Sequence, residues 1–219
     1  MRRVALVLVL FAATAGYSAG VTFMDGTFAN ANWNLNVVST SGGSITAGQV
    51  GAGGNPGSYR LVTNSGTIPP AGSVFLAAYH LNPSFVYDPG AMGAIDTISW
   101  SIDYQNFSSG QALQLGFQQG GSFFATTSVF VTTGSGTGSW FPHAQGPLME
   151  GDFGGAPDFS ATGAPITFGF RTANSGQLGT FEVGYDNISI TVTPVPEPRG
   201  VLLVLLASMR LGLRRVRGR

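Results

Sequence analysis

Apolar and polar residues alternate in strict period two through ISWSIDY, residues 98–104. Ile98, Trp100, Ile102 and Tyr104 fall on one side of an extended chain and Ser99, Ser101 and Asp103 on the other. A helix of 3.6 residues per turn cannot gather those four apolar groups on one face, so the stretch is a half-buried strand. ALQLGFQ (112–118), PITFGFRT (165–172) and YDNISITVT (185–193) repeat the pattern. Further strands are expected at 33–38, 58–63, 74–79, 123–131 and 180–183, and no helix-period segment of ten or more residues lies between 21 and 193.

Eight to ten short strands, each with one apolar and one polar face, imply an all-β fold. Two packed sheets are what such faces require, so an antiparallel β-sandwich is expected, with jelly-roll topology preferred within that class. The sequence has 219 residues and no cysteine. Disulfides, thiolate metal sites and thiol catalysis are therefore excluded. The longest stretch expected to be irregular is 134–163, which holds Trp140, Phe141, His143 and Phe153 among glycines and prolines.

The formal net charge of zero hides an uneven distribution. Of ten basic residues, all arginine, only Arg60 and Arg171 lie within 21–193, against nine acids there, so that region carries −7. Such a surface repels phosphate backbones and argues against a nucleic-acid partner.

Both ends read differently from the middle. Residues 1–20 begin with Arg2 and Arg3, continue through an apolar run from Val4 to Ala13, and end in small residues. That is the layout of a removable secretory signal, with Ala13/Ala15 or Ser18/Gly20 suiting the cleavage rule. At the other end, Gly200 to Leu213 is apolar apart from Arg210. It would give about 21 Å of helix against a hydrocarbon core of about 30 Å. The arginines that follow fit a domain held outside and a tail left in the cytoplasm.

Val195-Pro196-Glu197-Pro198, the apolar segment and the basic tail of Arg214, Arg215, Arg217 and Arg219 together resemble the PEP-CTERM sorting signal, with Arg210 as a departure from its pattern. The resemblance implies export through the N-terminal signal, transient anchoring in the inner membrane, and processing by an exosortase-type enzyme in a Gram-negative, exopolysaccharide-producing bacterium. It divides the chain into a signal peptide (1–20), a β-sandwich domain (21–193) and a sorting signal (194–219). FMDGTFANANWNLN, GGNPGSYR and GYDNISITV also resemble pieces of the exported jelly-roll domains found ahead of such signals, carbohydrate-binding-module-like and laminin-like sandwiches among them.

Candidate sites inside the domain are few. Asp25, Asn55 and Asp186 flank turns near the first and last strands, which run close together in a jelly roll. Their oxygens offer a site for a structural Ca²⁺, while Asp-Gly and Asn-Pro are also turn formers in their own right. Trp140 and Phe141 offer faces for stacking on sugar rings, or cover the end of the sandwich as a minor core. His80 and His143 lack metal-site spacing. Glu150, Asp152 and Glu182 would have to converge across a cleft to hydrolyse a glycoside. The expected function is thus a non-enzymatic surface or matrix protein without a required cofactor. A carbohydrate-binding module for the exopolysaccharide is the alternative, and a secreted hydrolase the more remote one.

Overall fold

The computed structural model describes residues 19–67, 74–133, 138–176 and 178–196. The expected signal peptide, apart from its last two residues, and the sorting signal from Glu197 onward lie outside them. Among the described residues no helix is long and apolar enough to cross a membrane.

The described strands form two antiparallel sheets packed as a jelly-roll sandwich within Gly20–Pro194. One sheet, called sheet A, runs in the order β10 (Phe141–Leu148), β6 (Ile95–Asn106), β12 (Gly179–Pro194), β4 (Gly57–Gly66) and β3 (Gly43–Gly54). The short β1 (Val21–Asp25) pairs with the end of β12 on the edge that β4 occupies further along, with Val21 opposite Val192 and Asp25 opposite Ile188. Sheet B runs β2 (Asn34–Ser41), β5 (Phe75–Tyr87), β11 (Ile166–Ser175), β7 (Ala112–Gln119) and β8 (Ser122–Ala125), and β9 (Phe130–Val131) also pairs with β7. One turn of helix, α1 (Pro89–Met92), is capped by Asp88, whose side chain accepts from the Gly90 N–H at 2.9 Å.

The period-two pattern settles which face of each strand turns inward. Ile98, Trp100, Ile102 and Tyr104 of β6, and Leu113, Leu115 and Phe117 of β7, are buried between the sheets. Phe117 meets Phe124, Phe153, Phe159 and Phe168 at ring-centroid distances of 5.0–6.1 Å. A second group, Phe28, Trp33, Phe85 and Phe170, closes at 4.7–6.4 Å. Aromatic pairs in such geometries add roughly 0.5–1.5 kcal/mol each beyond the area they bury.

The structure departs from the expected strands in several places. The segment 43–54 is a full strand although GSITAGQVGAGG has almost no apolar alternation. It is an edge strand held by its ladder to β4, so little of it needs to be apolar. The segment 134–163 is not irregular throughout, because β10 occupies Phe141–Leu148 at the other edge of the same sheet. Its prolines are tolerated there because an edge strand needs only one row of ladder bonds. The strand expected at 74–79 continues to Tyr87 through a bulge at Asn82-Pro83-Ser84, where Asn82 Oδ1 accepts from the Ser84 N–H at 3.0 Å and its hydroxyl at 2.7 Å. Finally, 123–131 divides into β8 and β9, while 180–183 and 185–193 are one strand, β12, bent by a bulge between Asp186 and Ser189.

Candidate functional site

The bulge in β12 pivots on Asn187, which sits in the left-handed region at φ 49°. The extra residue turns the Asp186 side chain out of solvent, to 0% exposure. There Asp186 accepts from the Asn55 N–H in the β3–β4 turn and, at 2.7 Å, from the Asn187 N–H. Asp103, opposite Asp186 on β6, accepts from the side-chain amides of Asn55 at 3.0 Å and Asn187 at 2.9 Å. Asp25 accepts from the Thr27 N–H and hydroxyl, the Phe28 N–H and the Trp33 indole N–H at 2.7–3.1 Å.

The sequence-selected trio of Asp25, Asn55 and Asp186 is thus gathered at one end of sheet A, with Asp103 and Asn187 added. Burial pushes the Asp186 carboxyl above its usual value, and the nearby charges of Asp103 and Asp25 add to this against two N–H donors. Burial also raises Asp25, but its four hydrogen bonds outweigh that and hold it below the usual value. Among the described residues no group of three or more His, Asp or Glu side chains is placed to hold a metal ion. In the structure these carboxylates tie three chain segments together through N–H groups.

Trp140 donates its indole N–H to the Gly53 carbonyl at 3.1 Å and meets Tyr59 edge-on at 5.4 Å. Tyr59 stacks on Phe107 at 5.7 Å, and this outer cluster on sheet A packs across Gly184, where a Cβ would lie within 3.0 Å of both Tyr59 and Trp140. Phe141 lies against Tyr104 at 5.8 Å and is 39% exposed. Elsewhere on sheet A a shallow depression of about 230 Å³ is lined by Ser99, Trp100, Ser101, Ser189 and Thr191. The three acids considered for hydrolysis serve different elements. Glu150 accepts from the Phe159 N–H at 3.1 Å, Asp152 from the Met149 N–H at 2.8 Å, and Glu182 lies 3.5 Å from the Thr63 hydroxyl on β4.

The outer face of sheet B carries a different constellation, which was not singled out from the sequence. Asn36 of β2, Tyr79 of β5, Arg171 of β11 and Gln114 of β7 stand opposite one another in register, one row across four strands. In the adjacent row Gly169 pairs with Gly116. The missing Gly116 side chain leaves room for the Tyr79 ring, whose Cδ1 lies 2.9 Å from where a Cβ on Gly116 would be. Phe123 of β8, half-buried, stacks on Tyr79 at 4.9 Å and 25°. The half-buried Arg171 guanidinium lies 5.9 Å from the Tyr79 ring centroid and donates to the Gln114 carbonyl oxygen. Burial raises the Tyr79 phenol above its usual value, and the Arg171 charge partly offsets this.

Arrangements of this kind can bind without reacting. The Phe123 ring, backed by the buried Tyr79, offers an apolar face, and the Asn36 amide and the Arg171 guanidinium, held by the buried Gln114, offer polar groups of fixed direction. The only sequence signal for it was positional: Tyr79, Arg171 and Gln114 all occupy outward positions of strands whose inward positions are apolar.

No protein-family model matches the sequence, and no curated protein matches it. Among solved structures, the chain is similar to the family 11 carbohydrate-binding module of the cellulosomal cellulase Lic26A-Cel5E of Clostridium thermocellum, at 16% identity and a TM-score of 0.46, over 82% of this chain and 98% of that one. The same family 11 module in complex with a β-1,3-1,4-mixed-linked tetrasaccharide matches at 15% identity and a TM-score of 0.47, over 80% and 97% of the two chains. The CBM22-1 xylan-binding domain of Paenibacillus barcinonensis Xyn10C matches at 9% identity and a TM-score of 0.43, over 81% and 98%.

Proposed function

We propose that this chain is a non-catalytic carbohydrate-binding module, exported by its N-terminal signal and sorted to the surface of an exopolysaccharide-producing bacterium by its C-terminal one. The observation that carries the binding reading is the row Asn36–Tyr79–Arg171–Gln114 with Phe123 stacked beside it on the outer face of sheet B. A sugar ring has an apolar face and a hydroxyl edge. The first matches Phe123 backed by Tyr79, and the second matches the Asn36 amide and the guanidinium that Gln114 holds in place. Because the row crosses four strands, it suits a glycan of several units better than a single sugar.

Affinity electrophoresis of the full chain through gels containing soluble polysaccharides tests the reading. At least one polysaccharide is expected to retard it, and Phe123→Ala is expected to weaken that binding about tenfold, near 1.4 kcal/mol, without changing the melting temperature by more than a few degrees. Trp140→Ala is expected to leave retardation unchanged. Loss on Trp140→Ala alone would move the site to the Tyr59–Phe107–Trp140 cluster of sheet A, and no retardation by any polymer would remove the reading.

The sorting part rests on Val195-Pro196-Glu197-Pro198 and the arginines after it. Intact mass of the surface or medium form is expected to lack both the residues before the sandwich and Arg214–Arg219. Glu197→Ala is expected to leave export intact and to trap a longer species in the inner membrane. A mature form that keeps Arg217 and Arg219 would make the tail a plain anchor.

A further inference from the structure

We infer that the glycan taken by sheet B is acidic, with a uronate carboxylate seated on Arg171; the inference rests on the carbohydrate-binding reading above and narrows it to a ligand class. It starts from where the charges are. Region 21–193 carries nine acids, and the strands of sheet B, β2, β5, β7, β8, β9 and β11, contain none of them. Five lie in strands of sheet A, at Asp25, Asp96, Asp103, Glu182 and Asp186, and the other four lie in connections.

The two arginines are divided just as sharply. Arg60 points between the sheets, is 1% exposed and donates its Nε–H to His80 Nδ1 at 3.2 Å, so no ligand reaches it. Arg171 is therefore the one cation that this domain turns outward, and it stands in the middle of the only acid-free sheet. Any other face of a body carrying −7 would repel an anionic polymer, whereas sheet B attracts it locally.

The surroundings of Arg171 fit a carboxylate. Its donation to Gln114 and its position beside the Tyr79 ring hold the planar guanidinium in place. Gln114 is itself fixed, because its side-chain N–H donates to the Thr126 carbonyl. Among the described residues no acid lies within ion-pair distance of Arg171, so a half-buried charge is compensated only by an amide oxygen and a π face. The remaining N–H groups of the fork match a carboxylate two by two, which a sugar hydroxyl cannot do. In a hexuronate the carboxylate projects from the ring edge, so a ring resting on Phe123 can direct it along the row toward Arg171.

The test compares alginate, polygalacturonate and polyglucuronate, each with its carboxyl-reduced neutral counterpart, by affinity electrophoresis and titration calorimetry on the full chain. At least one acidic polymer is expected to bind tenfold or more tighter than its reduced form, with an advantage that shrinks as salt rises. Arg171→Gln is expected to erase that difference, and Arg171→Lys, which keeps the charge but loses the fork, to retain only part of it. If reduced and acidic polymers bind alike in all three pairs and Phe123→Ala weakens both, the face binds neutral glycan: this inference falls and the carbohydrate-binding reading stands. If nothing binds in either form, both fall. An acidic preference that survives in Arg171→Gln would place the anion elsewhere and also overturn the proposal.

Discussion

Gly169→Ala is expected to cost the fold about 3 kcal/mol or more, the upper end for overpacking a tight interior. A methyl group on Gly169 would fall inside the van der Waals radius of the His80 backbone carbonyl oxygen on β5, and close to Leu81 Cα as well. Both obstacles are backbone, so no rotamer change relieves them and β5 and β11 would have to part. The strain falls where β5 re-enters register after its bulge. Urea denaturation should show the loss as a lower midpoint, and the surviving folded fraction should bind glycan more weakly. Thr167→Ala, two residues away on the same outward side, is the control and should change stability by less than about 0.5 kcal/mol. A Gly169→Ala protein as stable as the parent would mean that the close approach of the two strands is not a feature of the fold.

The second large effect is a loss of stability in mild acid, centred on His80. This imidazole is 0% exposed and stacks on Phe170 at 4.6 Å. Its Nδ1 accepts from Arg60, which can only donate, so the neutral ring carries its proton on Nε2 and gives it to the Thr172 hydroxyl at 3.1 Å. Burial, reinforced by the Arg60 charge, pushes its pKa well below the usual 6.5. Arg60 is itself lowered to about 10 by burial and stays charged at neutral pH. Below pH 6.5 the unfolded chain takes up a proton that the native state refuses, so stability falls as pH falls. The slope approaches about 1.4 kcal/mol per pH unit and continues until the depressed native pKa is reached.

Other groups bend the same curve. His143, lowered by burial, acts in the same direction. Asp186, whose carboxyl is raised, acts oppositely, since protonation relieves its buried charge as pH falls. Asp25, whose carboxyl is held low, costs stability only as pH falls below about 3.8. His80→Gln can accept from Arg60 and donate to Thr172 without titrating. Thermal melts from pH 7.5 to 5 should therefore be flatter for His80→Gln than for the parent, and identical slopes would show that His80 protonates without penalty.

The strands most easily read from sequence were those with one buried and one wet face. ISWSIDY, ALQLGFQ and YDNISITVT announce β6, β7 and the second half of β12 because the environment of each residue alternates with the pleat. β3 and β10 were missed because edge strands are stabilised by their backbone ladder, which leaves no mark on composition. The cluster around Asp186 was legible in part: neighbouring first and last strands follow from jelly-roll topology, but the bulge at Asn187 that buries Asp186 does not. Phe123, Tyr79 and Arg171 were hidden for another reason. They meet only through the order β5-β11-β7-β8; Gly120-Gly121 turns β7 directly into β8, but the placing of β11 between β5 and β7 is set by long connections whose path no local pattern records. Trp140 was conspicuous by type and setting, and it packs across Gly184 on the opposite sheet.

β12 leaves the domain at Pro194 after being hydrogen-bonded on both sides, to β6 along one edge and to β4 and then β1 along the other. Tension entering through Pro194 therefore pulls along the axis of a strand in the middle of a sheet. Its ladder bonds on both edges are loaded in parallel and must fail together, as in shear, whereas an edge strand can be peeled one bond at a time. A glycan held on sheet B would pull from the other side of the aromatic interior, so the force would cross between the sheets through Phe117, Phe168 and Phe170. A load applied through the residues after Pro194 would thus enter the domain along a strand bonded on both of its edges.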